Sequence, residues 1–166
     1  MDDLRVLSND ELLLGLESLV GSQRQLLARL IAYLREVEER RLHLELAYSS
    51  MFEFCTRKLR MSEGEAFRRI TAARLAKRFP IVIELISSGT IHLSALVPLR
   101  DHLTPDNHAE LLSDACGKGK AAVLALLAAR FPKPDVASKI RKLPSATPPA
   151  ATTQPATKPT TSCFTR

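Results

Sequence analysis

Apolar residues recur at alternating spacings of three and four through Leu13, Leu16, Val20, Gln23, Leu27, Leu30, Leu34 and Val37. Seven of these eight positions are apolar, which is the heptad signature of an amphipathic helix that must bury one face. Ser8 with Glu11 supplies a capping box at its start, each side chain reaching the other residue's backbone amide. The predicted helix runs from residue 9 to about 41 and is roughly 50 Å long at 1.5 Å per residue. Gly21 is the point at which it could divide into two. Two readings of the stripe stay open. It packs against the rest of its own chain, or it forms a dimerising coiled coil or helical hairpin through Leu13, Leu16, Val20, Leu27, Leu30, Leu34 and Val37, with Gln23 as the polar gap.

Further helix signals follow. Ser50 with Glu53 opens a short helix near 50–59, and Ser62 with Glu65 opens another over 62–79. Pro80 starts a helix stopped by Gly89, and "HLSALVPLRDHL" is a short apolar helix. Thr104 caps the next, with Pro105 at its first position, and "KAAVLALLAARF" ends at Pro132. No stretch alternates apolar with polar residues and β-branched enrichment, so the fold class is all-α, a multi-helix bundle. Residues 1–143 form one helical domain. Of the 23 residues from 144 to 166, 16 are Pro, Thr or Ala, the composition of a disordered linker or tail.

Several function classes are disfavoured. The longest uncharged apolar run, "AAVLALLAA", is less than half a bilayer span, and "MDDLRVLSND" lacks the apolar core of a secretory signal. Cys55, Cys116 and Cys163 are odd in number and widely spaced, as reduced thiols are in the cytoplasm. His43, His92, His102 and His108 show no metal-ligand pairing and read as surface or capping histidines, so no metal or cofactor is expected. Glu36, Glu38 and Glu39 interleave with Arg35, Arg40 and Arg41 as a solvated helix face does. No glycine-rich phosphate loop is present, and neither Cys55 nor Cys116 has an evident base partner. The expected chain is not an enzyme.

Charge is the positive signal. The net charge is +6, concentrated in residues 46–80, with eight bases against three acids, and in residues 136–166, with five bases and no acid. The segment "FEFCTRKLRMSEGEAFRRI" has the outline of a helix-turn-helix, whose second helix would enter a DNA major groove. Two features weaken that outline. Arg60 occupies the turn position that often holds Gly, and Ala66, Phe67, Ile70 and Ala73 define one buried face while Ala72, Leu75, Ala76 and Phe79 define another. A helix held on both sides belongs to the core first. Candidate DNA contacts are Arg57, Lys58, Arg60, Arg68, Arg69, Arg74, Lys77 and Arg78, with Lys139, Arg141 and Lys142 as a flexible second contact.

The segments "YSSMFEFCTRKLRMSEGEAFRRITAARLAKRFP", "SGTIHLSALVPLRDHLTPDN" and "LLAARFPKPDVASKIRKLP", in this order, resemble the N-terminal helical region of bacterial HNH endonuclease family proteins, a domain of unknown function. The resemblance covers about residues 7–144. In full-length members a Pro-rich linker leads to a C-terminal HNH nuclease, whereas this chain enters such a linker and stops at Arg166. The resemblance therefore implies an accessory domain, truncated before the catalytic module, that positions a nuclease on DNA. His102, Asn107 and His108 in "DHLTPDNH" mimic an HNH site by letter only, since a helix start with no preceding β-hairpin or Cys pair cannot build one. The alternative is a protein–protein interaction or homodimerisation module whose bases serve solubility. A degenerate gene product without activity is a third reading. Expected partners are DNA, a second copy or a nuclease module, and no membrane.

Overall fold

The computed structural model describes residues 4–132. These form eight α-helices, one of them continued by a π-helical turn, and no strand. α1 spans Asn9–Glu39 without a break at Gly21, so it is one rod and not a hairpin. Both halves of the capping box form: Ser8 Oγ accepts from the Glu11 amide, and the Ser8 amide donates to Glu11 Oε2 at 2.9 Å. The helix stops where Arg41 turns left-handed at φ 57°. A single turn that the sequence pattern did not suggest, α2 (Leu42–Glu45), follows.

α3 (Met51–Glu53) runs into a π-helical turn, Phe54–Lys58, closed by Leu59 donating to the Phe54 carbonyl at 3.2 Å. Ser50 caps α3, but the Glu53 carboxylate turns instead to the amide and hydroxyl of Ser49. α4 (Glu63–Arg78) begins at Ser62 with no side-chain cap bond, and Glu65 reaches forward to Arg69. Its two-sided apolar pattern is realised. Ala66, Ile70, Ala72, Ala73, Leu75 and Ala76 are buried, and Phe67 alone of the expected core residues in α4 is exposed.

α5 (Ile81–Ser88) starts after Pro80 and ends at Gly89, whose φ of 76° is the left-handed conformation that terminates helices. α6 (Leu93–Leu99) retains Pro98 near its end, and α8 (Lys120–Arg130) stops before Pro132. α7 (His108–Ala115) begins later than Thr104–Pro105 suggests. Thr104 and Asn107 exchange side-chain and backbone hydrogen bonds at 2.8 and 3.3 Å, and Asn107 also donates to the His102 carbonyl. That network holds residues 104–107 as a turn.

The core is contributed by every one of these helices except α2, with α4 at its centre between α1, α5 and α6, and α8 packed on α6. α1 participates only through its second half. Ala28, Ile31 and Leu34 are buried, and Leu27, Leu30 and Val37 pack against the same core. Four of the seven residues expected to dimerise, Leu27, Leu30, Leu34 and Val37, are therefore occupied within the chain by α4 and α5. Leu13, Leu16 and Val20 are exposed. The expected tail, 144–166, lies outside the described residues.

Candidate functional site

The basic segment and the free half of α1 are the two places where side chains face outward in number. The eight described candidate bases divide sharply. Arg57 is ion-paired with Glu53 at 2.7 Å, one helical turn away. Arg69 meets Glu65 at 2.6 Å and is largely covered, its Nε buried without a partner. Arg74 donates from Nε and Nη2 to Glu38 Oε1 at 3.0 and 2.7 Å, and Lys77 lies 3.4 Å from Glu39. Arg78 donates to the Leu103 carbonyl at 2.9 Å and sits 5.0 Å from the centre of the Phe79 ring. Arg35, Glu38, Glu39, Arg74 and Lys77 thus line a cleft of about 270 Å³ between α1 and α4 in which acids and bases answer one another.

Lys58, Arg60 and Arg68 remain exposed with no ion pair or hydrogen bond. They surround the turn that precedes α4. Arg60 adopts φ 55°, the left-handed conformation that glycine usually supplies at such a turn. A short helix, a turn and α4 follow one another here, but α4 is the central core helix, and Arg74 and Lys77 of its last turns face Glu38 and Glu39 of α1. Lys139, Arg141 and Lys142 lie outside the described residues.

Two of the histidines stack on aromatic rings, and His92 is exposed at the start of α6 with no side-chain cap bond. His102 stacks on Phe131 at 4.9 Å between ring centres, and His108 on Phe79 at 4.7 Å. His43 is buried rather than at the surface, with Nδ1 unpartnered, because α2 folds it inward. Among the described residues no three His, Cys, Asp or Glu side chains gather as a metal ion requires. Burial first, then the negative charge of Glu38, pushes the Cys55 thiol up from its ordinary value, which suppresses the thiolate a nucleophile needs.

The free half of α1 is apolar. Leu13, Leu16 and Val20 continue the core-facing stripe beyond the point where α5 stops covering it, and Leu12, Leu19 and Leu26 lie beside them. The last three escaped the sequence reading, although their own spacing of seven residues is a readable signal. Leu4, Val6, Leu7 and Leu14 are exposed in the same region. Soluble chains rarely display so continuous an apolar surface without a use for it. No helix among the described residues is long and apolar enough to cross a membrane. No protein-family model, curated protein or solved structure matches the chain.

Proposed function

We propose that the chain is a non-catalytic helical accessory domain that works by association, with the first half of α1 as its docking helix. The observation that supports this is the uneven use of one apolar stripe: covered from Leu27 onward, bare from Leu13 to Val20. Docking on a second helix through anchors spaced by three and four residues is the mode such a face suits. If the resemblance to the helical region of HNH endonuclease family proteins reflects kinship, the module would hold a nuclease in place without cutting DNA itself. A photo-crosslinking amino acid at Leu16, in the cells that make the protein, should give a discrete adduct, whereas one at exposed Glu84 on α5 should give none. Absence of any adduct from Leu13, Leu16 and Leu19 would refute association through this helix.

A second reading is DNA contact at the turn before α4, favoured by the three unpaired bases Lys58, Arg60 and Arg68. Three phosphate contacts correspond to a log–log salt slope of about −2.7 for duplex DNA. An anisotropy titration at two salt concentrations should show that slope, and replacing all three bases by Ala should abolish it. Equal affinity of the two proteins removes this turn as a DNA contact.

A further inference from the structure

We infer that the partner of the free α1 segment is a second copy of the same segment, paired antiparallel about a two-fold axis near Ser18. This rests on the association reading above and names its occupant. Three observations converge on it.

The first is length. The apolar stripe of α1 is exposed from Leu13 to Gln23 and packs on the core from Leu27, and Arg24 on its flank already lies beside Gly89 at the end of α5. A pairing centred on Ser18 lays residue 9 of one helix beside residue 27 of the other, roughly 27 Å away along the rod. It uses the exposed stripe and ends where the core covers it. A parallel partner would bring its own α4 and α5 to the same end and onto the same face, where the two bodies collide.

The second is the layer pattern. In this register Leu16 faces the partner's Val20, Leu13 faces the partner's Gln23, and both pairs repeat through the two-fold. Gln23, the single polar residue of the stripe, then falls at the two ends of the seam, where water reaches it. Leu12 meets the partner's Leu26 along one flank, and Leu19 meets the partner's Leu19. A parallel pairing would set Leu12 and Leu19 against the charged Glu17 and Arg24.

The third is charge. The other flank carries Glu17 and Arg24, seven residues apart. In the antiparallel register Glu17 and the partner's Arg24 lie five residues apart along the axis with side chains tilted towards each other, twice by symmetry, and the two Glu17 carboxylates lie two residues apart at the two-fold. The Arg24 side chain lies beside Gly89 of its own chain, where an added Cβ would come within 2.5 Å of Nε. Leu16 and Val20 in the layers and Leu19 on one flank thus agree on one arrangement, and the reach of Glu17 to the partner's Arg24 is its charge test.

The test starts with the purified full chain by sedimentation velocity over a range of concentrations. A reversible monomer–dimer equilibrium is expected, and a chain that stays monomeric at the highest concentration overturns self-pairing. A monomeric chain that still gives an adduct of another mass from Leu16 in cells would leave the association reading standing, which separates the two failures. Register is read with Leu19→Cys and Leu13→Cys variants, each carrying Cys116→Ser and Cys163→Ser, and a short bis-maleimide. Leu19→Cys should crosslink to itself and Leu13→Cys should not, because ten residues separate the two Leu13 positions along the antiparallel axis. The reverse result establishes a parallel dimer and refutes the inference. Glu17→Arg should raise the dissociation constant about tenfold, and adding Arg24→Glu should restore it, whereas a double variant as weak as the single one removes the charge pairing.

Discussion

Ile31 and Leu16 lie on the same stripe of α1, yet their truncations should differ widely. Ile31 is 0% exposed and packs into the core with Ala28 and Leu34, so Ile31→Ala removes buried methylenes and leaves a cavity beneath α1. Changes of this kind cost about 2–5 kcal/mol, and the full burial of Ile31 argues for about 3.5. For an ordered region of this size each kcal/mol lowers the melting temperature by roughly 3–5 °C, which predicts a fall of roughly 10–18 °C. Leu16 is 58% exposed, and Leu16→Ala should stay within about 0.5 kcal/mol, as surface changes do. The assay is thermal unfolding by circular dichroism, with the protein dilute enough to be monomeric. At high concentration Leu16→Ala should lose stability relative to the parent, because the pairing it contributes to is then populated. Equal losses in the two dilute variants would show that one chain already covers Leu16. A negligible loss for Ile31→Ala would show that α1 is not docked on α4 and α5.

Arg60→Gly should raise stability by about 0.5–1 kcal/mol, since glycine takes the left-handed conformation without the Cβ penalty, and should weaken any duplex DNA binding in the same sample. A destabilised variant would contradict the backbone geometry at that turn. The side chain and then the backbone amide of Ser49 hold the Glu53 carboxyl below the ordinary carboxylate value of 4.5. A group lowered on folding contributes stability above its unfolded value and loses it as pH falls through the folded one. Ser49→Ala should therefore be less stable than the parent near pH 7 and converge with it near pH 3, and a constant difference across that range would rule out the linkage. Cys55, fully buried with a raised thiol, should resist thiol reagents until the chain unfolds, while the partly exposed Cys116 reacts in the native state. Fast labelling of Cys55 would place it outside the core.

What the amino-acid sequence determined by itself is local. The start of α1 rests on two residues three apart, Ser8 and Glu11, whose reciprocal hydrogen bonds close within one turn. The end of α5 rests on Gly89 alone, which reaches φ 76° at no steric cost. The all-α fold and the two-sided burial of α4 follow from residue spacing in the same way, because neighbours on a helix face are neighbours in the chain. The onset of α7 was not legible, since Asn107 bonds back to Thr104 and across to the His102 carbonyl and so outweighs the preference of Pro105 for a first helical position.

Only the tertiary structure decided which half of the α1 stripe is free, because periodicity states that a face is apolar and not what covers it. It likewise decided the fate of the bases. Arg74 is paired with Glu38, 36 residues earlier, and Arg78 donates to a backbone carbonyl 25 residues later, so a charge run that reads as one basic patch resolves into five partnered groups and three free ones. Pairing over such separations depends on how α1, α4 and the 99–103 segment are brought together by burial, and no local pattern encodes it.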